Sequence, residues 1–242
     1  MGKKEKVARF YDFLHGEIRT YDNPNLLPGM LMEKFGVDGG FFRGMTCLDA
    51  GCGGGKNVYA MGLLGARRIA ASDISSRSLS AAMMLNRENA WFQKASVLEL
   101  PYRDCSFDVV FCEGVLHHTE SPYAGFLELS RVAKRDGSIV LLVYSWGGAI
   151  FFLVKLLRPV FRLAGYRNVS KLLSLFMSRN RSFGFLDMLC VPIQRNYNPS
   201  VIRKWLEGGG FTEIRFAKER GSLLQRVMNG EGVIKVVAMR PR

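Results

Sequence analysis

The 242-residue sequence lacks the cysteine spacing of a metal site or a disulfide framework. Its cysteines are Cys47, Cys52, Cys105, Cys112 and Cys190. None forms a Cys-x-x-Cys pair, and several lie within apolar runs, so the spacing indicates neither zinc binding nor disulfide bonding. We therefore expect no metal site and a reducing compartment.

A long uninterrupted apolar segment is also missing. The N-terminal residues MGKKEKVARFYDFL contain no long apolar core followed by small residues, so they do not indicate a secretory signal. The apolar stretch at 149–164 includes Lys155, Arg158, Pro159 and Arg162, and is too short and too charged to span a membrane. We expect a cytoplasmic protein that could still attach to the surface of a membrane.

Acidic residues are scarce in the second half of the chain. Residues 1–140 contain 17 Lys/Arg and 16 Asp/Glu, a balance of +1, whereas residues 141–242 contain 17 and 5, a balance of +12. Almost all of the net charge of +13 therefore lies in the second half. This excess is compatible with a solvated surface, with nucleic-acid binding, or with binding to an anionic membrane.

The spacing of apolar residues predicts an α/β fold. An N-terminal amphipathic helix is indicated by apolar residues at helical spacing, namely Val7, Phe10, Tyr11, Leu14 and Ile18. Predicted strands then cover 46–50, 68–72, 91–94, 107–112 and 138–144, and predicted helices cover 55–64, 76–87 and 122–134. Strands separated by helices pair in parallel, so we expect a doubly wound sheet with a ligand crevice at the carboxyl ends of its strands.

The rest of the chain predicts one domain with an insertion. A helix at 199–208 and apolar runs at 211–217 and 233–239 indicate a closing antiparallel hairpin with a long loop at 218–232. We divide the single domain into an N-terminal helical cap at 1–45, a central core at 46–145, a basic apolar insertion at 146–196 and a C-terminal part at 197–242.

The segment LDAGCGGG at 48–55 lies between a predicted strand and a predicted helix. Glycine there allows a sharp turn and a close backbone approach to a ligand at a helix N-terminus. The dinucleotide pattern G-x-G-x-x-G would need a small residue where Lys56 stands. Asp73 ends the next strand, where a carboxylate can bind ribose hydroxyls, although it could instead cap the following helix. Ser75 or Ser76 can supply that cap, so we favour a nucleoside ligand for Asp73.

Four segments occur together in a fixed order. They are LDAGCGGG, SDIS at 72–75, LPYRDCSFDVVFCEGVLHHTESP at 100–122 and LELSRVAKRDGSIVLLVYS at 127–145. This ordered set resembles the class I S-adenosylmethionine-dependent methyltransferases, and within them the branch similar to ubiquinone and menaquinone methyltransferases. The resemblance implies a Rossmann-like, seven-stranded and mostly parallel sheet, a helical insertion after the fifth strand, and S-adenosylmethionine as cofactor.

The resemblance also implies which residues bind the cofactor. They are Asp49, Gly51, Cys52, Gly53, Asp73, Ile74, Ser96, Val97, Cys112 and Glu113. The glycine loop would line the methionine part, Asp73 would hold the ribose, and the backbone after the fourth strand would face the methionine amino group. The family usually has an acidic residue at the position of Ser96 to contact the adenine amino group. A neutral hydroxyl there should bind the cofactor more weakly.

Methyl transfer from a sulfonium is an in-line displacement, so it depends mainly on alignment in a water-poor pocket. If the acceptor is a phenol or an alcohol, a general base helps, and His118 or His117 is the natural candidate. Either histidine could instead simply pack in its loop. We expect His15, in the N-terminal helix, to be structural or exposed.

Three further residues are candidates for contact with the acceptor. Tyr11 and Tyr197 belong to segments that, by the resemblance, can fold over cofactor and acceptor as lids, although each could simply pack in the core. Arg195 precedes Tyr197 in QRNYNP and could reach an acidic acceptor.

The composition of the insertion indicates the chemical class of the acceptor. Its residues 146–195 contain eight Lys/Arg and one acid. Lys155, Arg158 and Arg162 recur at steps of three and four, which predicts a basic amphipathic helix with a kink at Pro159. Such a helix suits an anionic lipid surface or a cover over an apolar acceptor, and it could also be a buried lid. We favour a small, hydrophobic or lipid-like acceptor. RNA methylation through the basic half and a non-catalytic, membrane-associated cofactor-binding protein remain alternatives.

Overall fold

The computed structural model describes residues 2–17, 23–85, 89–146, 149–176, 179–217 and 232–241, and a seven-stranded sheet lies at its centre. The strands are β1 (Thr46–Ala50), β2 (Arg68–Asp73), β3 (Ala90–Lys94), β4 (Phe107–Glu113), β5 (Ala133–Tyr144), β6 (Glu213–Phe216) and β7 (Val233–Met239). The α-helices are α1 (Lys3–Glu17), α2 (Leu27–Phe35), α3 (Lys56–Leu63), α4 (Ser76–Leu85), α5 (Pro122–Val132), α6 (Ala149–Ala164), α7 (Tyr166–Ser174), α8 (Arg179–Cys190) and α9 (Pro199–Gly208).

The strands are arranged in the order β3-β2-β1-β4-β5-β7-β6. β1 pairs in parallel with both β2 and β4, whereas β7 runs antiparallel to β5 and β6. The order reverses between β1 and β4, so a ligand crevice is expected there at the carboxyl ends of the strands. The predicted doubly wound, mostly parallel sheet and its closing antiparallel hairpin are confirmed. The predicted long loop falls almost wholly at 218–231, outside the described residues.

β5 begins earlier than the apolar pattern predicted. Ala133 pairs with Phe107, but the next pair joins Ser138 to Val109, so the register shifts between them. The four residues in between, KRDG, have no apolar alternation that could indicate a strand. The regular part of β5 therefore begins at Ser138, the predicted start of the strand.

Alternate side chains of the central strands enter two apolar layers. Leu48 and Ala50 of β1 lie in the layer formed with α5 and α9. Cys47, in the same strand, lies in the layer formed with α2 and α3. This period of two is the regular geometry of a strand buried on both faces. It explains why short apolar runs were sufficient to locate the strands.

The N-terminal cap and the insertion share a third apolar cluster. Phe10 and Leu14 of α1 pack there with Val169 of α7, Leu186 of α8 and Val191. The insertion therefore contributes three helices, and they cover the same end of the sheet as α1. α6 continues through Pro159.

Three of the sequence predictions, on His15, on membrane spanning and on metal binding, are compared here with the described residues. His15 belongs to α1, but its side chain lies outside what the structure describes. No described helix combines the length and the apolar character that crossing a membrane requires. Within the described ranges, no group of three or more His, Cys, Asp or Glu side chains is arranged to hold a metal ion.

Candidate active site

A cavity of about 1290 Å³ opens at the carboxyl ends of the central strands. The segments that follow β1, β2, β3 and β4 form its base, and α1, α2 and the insertion contribute to its cover. Its position coincides with the crevice expected for a doubly wound sheet. Residues from distant parts of the chain therefore face one cavity.

The loop after β1 requires glycine at its first position. Gly51 has a φ of +85°, and a Cβ atom on it would lie 2.2 Å from Cγ2 of Val115. Gly53 also has a positive φ, of +51°. The amides of Gly51 and Cys52 donate to the carbonyl of Ser72 at 2.7 and 2.9 Å, which ties the loop to β2. Gly51, Cys52 and Gly53 all line the cavity, so the loop presents backbone to a ligand.

Asp73 lies at the carboxyl end of β2 and lines the cavity beside Ile74. Its carboxylate accepts hydrogen bonds from the amides of Gly53 at 2.9 Å and Ser75 at 2.8 Å. Burial raises the pKa of Asp73, while these backbone donors act in the opposite direction. The hydroxyl of Ser75 accepts from the amide of Ser78 at 3.0 Å, so Ser75 supplies the cap of α4.

Opposite charges meet at the end of β4. The Glu113 carboxylate accepts hydrogen bonds from Lys34 of α2, from Lys56 of α3 at 3.1 Å and from the Asn57 amide at 2.9 Å. Burial alone would raise the pKa of Glu113, but Lys56 and Lys34 outweigh it and lower this pKa to about 2. All four side chains line the cavity. This cluster can bind a ligand that carries both an ammonium and a carboxylate group.

Asp49 is a buried carboxylate for which no described residue supplies a hydrogen bond. Its solvent exposure is 0%, and both of its oxygens are without a partner. Burial raises the pKa of Asp49 well above its usual range, Glu113 and Asp73 raise it further, and Lys56 opposes them. Asp49 lies beneath the glycine loop without lining the cavity, and Cys112 is likewise buried within β4.

The segment after β3 forms another wall of the cavity, which Ser96 and Val97 line. The hydroxyl oxygen of Ser96 accepts from the amide of Leu98 at 3.3 Å. A hydroxyl has one donor and two acceptor positions, so Ser96 retains capacity for a ligand. It offers that ligand a neutral group where the resemblance implies an acid.

A carboxylate that the sequence analysis did not single out organises a second group of side chains that line the cavity. Asp187 of α8 accepts hydrogen bonds from the hydroxyls of Tyr11, at 2.7 Å, and Tyr144. His118 Nε2 lies 3.4 Å from its Oδ2 atom. Burial alone would raise the pKa of Asp187, but His118 and the two hydroxyl donors outweigh it and hold this pKa below its usual range.

This network joins α1, the turn after β4, the end of β5 and the insertion, and its four side chains line the cavity. Burial, followed by the Asp187 charge, raises the pKa values of both Tyr11 and Tyr144. Both tyrosines therefore remain hydroxyl donors near neutral pH. The one sequence signal for Asp187 is that it is the single acid in a basic insertion.

The two adjacent histidines occupy different environments. His118 lines the cavity, and its Nδ1 lies 2.7 Å from the carbonyl oxygen of Ile193, which assigns the proton to Nδ1. His117 is fully buried, stacks on the ring of Tyr144 at 3.9 Å and does not line the cavity. Burial and the neighbouring His118 hold the pKa of His117 well below its usual range. His118 is therefore the histidine that can meet a ligand in this cavity.

Arg195 and Tyr197, the other expected acceptor contacts, do not line the cavity. The guanidinium of Arg195 donates to the carbonyl of Glu120 at 3.0 Å. The ring of Tyr197 packs edge-on against Trp205 at 5.0 Å, in the apolar layer formed with α9. Both side chains are held by protein partners that direct them away from the cavity, whereas Tyr11 is directed into it.

Residues 48–141 match a family model described as a methyltransferase domain. The chain is 35% identical over 162 residues to the tRNA U34 carboxymethyltransferase of Pseudomonas aeruginosa. The aligned region covers 62% of this chain and 48% of that protein. The chain is 29% identical over 199 residues to an uncharacterized protein of Synechococcus, covering 70% of this chain and 48% of that protein. The chain thus spans about half the length of these curated relatives.

A solved structure has the same fold. The S-adenosylmethionine dependent methyltransferase from Mesorhizobium loti superposes with a TM-score of 0.61, covering 89% of this chain and 96% of that chain. The two sequences are 16% identical, so this likeness concerns the fold alone.

Proposed function

We propose that this chain, whose residues 48–141 match the model of a methyltransferase domain, is a class I S-adenosylmethionine-dependent methyltransferase that transfers a methyl group to a small, hydrophobic acceptor. The observation that carries this proposal is one cavity lined by two chemically different groups of side chains. Asp73 and Glu113 belong to the first group, and Asp187 and His118 belong to the second. We call these two groups the cofactor end and the acceptor end.

The cofactor end suits the polar groups of S-adenosylmethionine. Asp73, at the end of β2, would hold the ribose hydroxyls. Glu113 would face the ammonium group of the methionine part, and Lys34 and Lys56 would face its carboxylate. Ser96 would contact the adenine with a neutral hydroxyl, at some cost in affinity.

Two features of the glycine loop support this fit. A Cβ atom at Gly51 would collide with Val115, so only glycine allows the loop to pack against Val115 while its backbone lines the cavity. Beneath the loop, the unpartnered carboxylate of Asp49 would be stabilised in its charged form by a nearby positive ligand. The bound cofactor carries two positive groups, the sulfonium and the ammonium.

When bound, S-adenosylmethionine supplies a methyl group that its sulfonium makes electrophilic. The residues of this chain would align the acceptor and exclude water, and for a hydroxyl acceptor they would also take a proton. The hydrogen bond from Tyr11 to Asp187 joins α1 to α8 across the acceptor end. The candidate base is His118, whose buried Nε2 faces Asp187 at 3.4 Å; its ring would have to turn to take the proton from the acceptor, and Asp187 would stabilise the imidazolium. A carbon or thiolate acceptor would not require this base.

Apolar groups at the cavity favour a hydrophobic acceptor. Val115, Leu142 and Ile193 add apolar surface to the lining of the cavity. The motif resemblance to ubiquinone and menaquinone methyltransferases agrees with a quinone-like or phenolic ring as acceptor. A phenol is also the acceptor chemistry that benefits most from His118.

RNA is a second candidate acceptor. A relative at 35% identity is named tRNA U34 carboxymethyltransferase, and the second half of this chain carries a balance of +12. The cover formed by α1 and α8 over the acceptor end favours a small molecule instead. A third candidate is a cofactor-binding protein without methyl transfer, and the neutral Ser96 is the feature that favours it.

Calorimetric titration of the purified chain with S-adenosylmethionine and, separately, with NADH tests the cofactor. We expect saturable binding of the first alone, and binding of neither would contradict the proposal. Methyl transfer from labelled cofactor to quinone-like compounds, lipid extracts and total tRNA would then identify the acceptor. Label in tRNA alone would select the RNA alternative, and binding without transfer to any of the three would select the non-catalytic one.

A further inference from the structure

We propose that the insertion docks on the surface of an anionic lipid bilayer through the outer faces of α6 and α7. Six large apolar side chains form this docking surface, namely Leu156, Val160, Leu163, Leu172, Leu175 and Phe176. Leu163 is 91% exposed and Phe176 is 78% exposed, values at which almost the whole side chain contacts solvent. Several large apolar side chains exposed on two consecutive helices indicate an interaction site more strongly than an isolated exposed residue does.

The spacing of these residues shows that they form stripes. Leu156, Val160 and Leu163 follow steps of four and three, which place them on one face of α6. Leu172 of α7 is followed at three and four residues by Leu175 and Phe176, which lie in the turn after the helix. Both helices thus carry an apolar stripe on the side that faces solvent.

The opposite faces of the two helices are already buried. Val154 and Phe161 of α6, and Val169 and Leu173 of α7, pack in the cluster that contains Phe10 of α1. Each helix is therefore apolar on both sides, and only the inner side has a partner within the described residues. Within the described residues the outer stripes take no part in packing the cap, so they are available to another surface.

The charge around the docking surface selects an anionic lipid as its partner. Residues 149–176 contain Lys155, Arg158, Arg162, Arg167 and Lys171 and no acidic residue. A second copy would bring two such cationic faces together, and like charges disfavour that contact. An anionic bilayer offers both an apolar layer and negative headgroups, the combination to which interfacial amphipathic helices bind.

Arg167 and Lys171 are the cations best placed to meet headgroups, because both are exposed on α7 beside the apolar stripe. Arg158 and Arg162 instead donate to the carbonyls of Val191 and Pro192. Apolar contact should therefore supply most of the affinity, with charge adding a smaller and salt-sensitive part. This inference does not depend on methyl transfer, and a non-catalytic chain with the same insertion would also dock.

The test is flotation of the full chain with vesicles of phosphatidylcholine alone and with added phosphatidylglycerol. The wild type should float with the anionic vesicles and less with the neutral ones, and added salt should weaken the anionic preference. The double variant Leu163→Glu with Phe176→Glu should lose about ten-fold or more of its partition coefficient. Arg167→Glu with Lys171→Glu should lose the anionic preference and keep the weaker neutral binding.

The matched control is Leu127→Glu, which changes an exposed leucine of α5 outside the docking surface and should float like the wild type. All variants should bind S-adenosylmethionine as the wild type does, which separates loss of docking from loss of folding. No flotation of the wild type, or equal flotation of the double variant, would overturn the proposal. So would a wild-type dimer in sedimentation equilibrium that Leu163→Glu with Phe176→Glu dissociates, because the docking surface would then bind a second copy.

Discussion

Replacing Asp49 by Asn should change how the stability of the cofactor-free protein depends on pH. In the folded protein burial keeps the pKa of Asp49 well above its usual range, whereas in the unfolded chain this pKa is about 3.9. Between these two pKa values the folded state binds one more proton than the unfolded state. The free energy of unfolding therefore falls as pH rises through this window, and it levels off above the folded pKa.

The size of the effect follows from proton linkage. Inside the window this one group lowers the free energy of unfolding by about 1.4 kcal/mol for each pH unit. Asparagine has nearly the same shape and does not titrate, so Asp49→Asn removes this contribution. The difference in unfolding free energy, variant minus wild type, should grow by about 1.4 kcal/mol per pH unit within the window. Below the unfolded pKa the two proteins should differ little.

Urea denaturation at a series of pH values, without cofactor, measures this difference. Titratable groups that do not interact with Asp49 cancel in it. Asp108→Asn is the control with the opposite sign. Burial raises the pKa of Asp108, but hydrogen bonds from Lys134 and Thr46 outweigh it and lower this pKa. Asp108→Asn should thus lose stability relative to wild type as pH rises through the folded pKa towards the unfolded one. An Asp49→Asn difference that is flat with pH would show that Asp49 ionises normally and would refute the reasoning.

Three further substitutions test the two ends of the cavity. Asp73→Ala should weaken binding of S-adenosylmethionine in calorimetry roughly ten- to hundred-fold, because hydrogen bonds to a charged group contribute about 1.5–3 kcal/mol. Unchanged affinity would exclude the ribose role. Gly51→Ala should abolish cofactor binding, since its Cβ would lie 2.2 Å from a methyl group of Val115 at a φ that favours glycine. Adding Val115→Ala should restore part of the binding. If it does not, the loss of binding in Gly51→Ala comes from the φ of +85° alone and not from contact with Val115. Tyr11→Phe should lower the free energy of unfolding by about 1.5–3 kcal/mol, because it removes a hydrogen bond to the buried anion Asp187. A change below about 0.5 kcal/mol would mean that α1 does not depend on this bond.

The cofactor end could be predicted from sequence because its signals are local. The turn after β1 has a positive φ at Gly51, a conformation that favours glycine. The strand before it is recognisable in the sequence as a short apolar run. Asp73 stands at the end of the next short apolar run. Two residues later, the hydroxyl of Ser75 accepts the hydrogen bond that caps α4, so Asp73 is not needed as the cap. Each inference joins residues close together in the chain, and the topology of a parallel sheet brings the strand ends to one edge.

The acceptor end could be predicted only in part, because it depends on contacts between distant segments. Asp187 and Tyr11 are separated by 176 residues, and they meet because Phe10 and Leu186 pack in one apolar cluster. Local patterns give no means of pairing α1 with α8. His118 was a candidate from its motif. Only the structure distinguishes it from His117, because His117 is the ring that stacks on Tyr144.

The basic face predicted for α6 shows a different limit of sequence patterns. Periodicity places Arg158 and Arg162 on one side of the helix, and a charged stripe is usually assumed to face water. Here both guanidinium groups donate to carbonyls at 191–192, just beyond the C-terminus of α8, where backbone acceptors lack helical partners. Because these arginines turn towards the protein, the side of α6 left to solvent is the one that carries Leu156, Val160 and Leu163. The two arginines of α6 thus donate to the carbonyls that follow α8, and the apolar stripe of α6 is left facing solvent. We therefore expect lipid docking to depend more on Leu163 and Phe176 than on the arginines of α6.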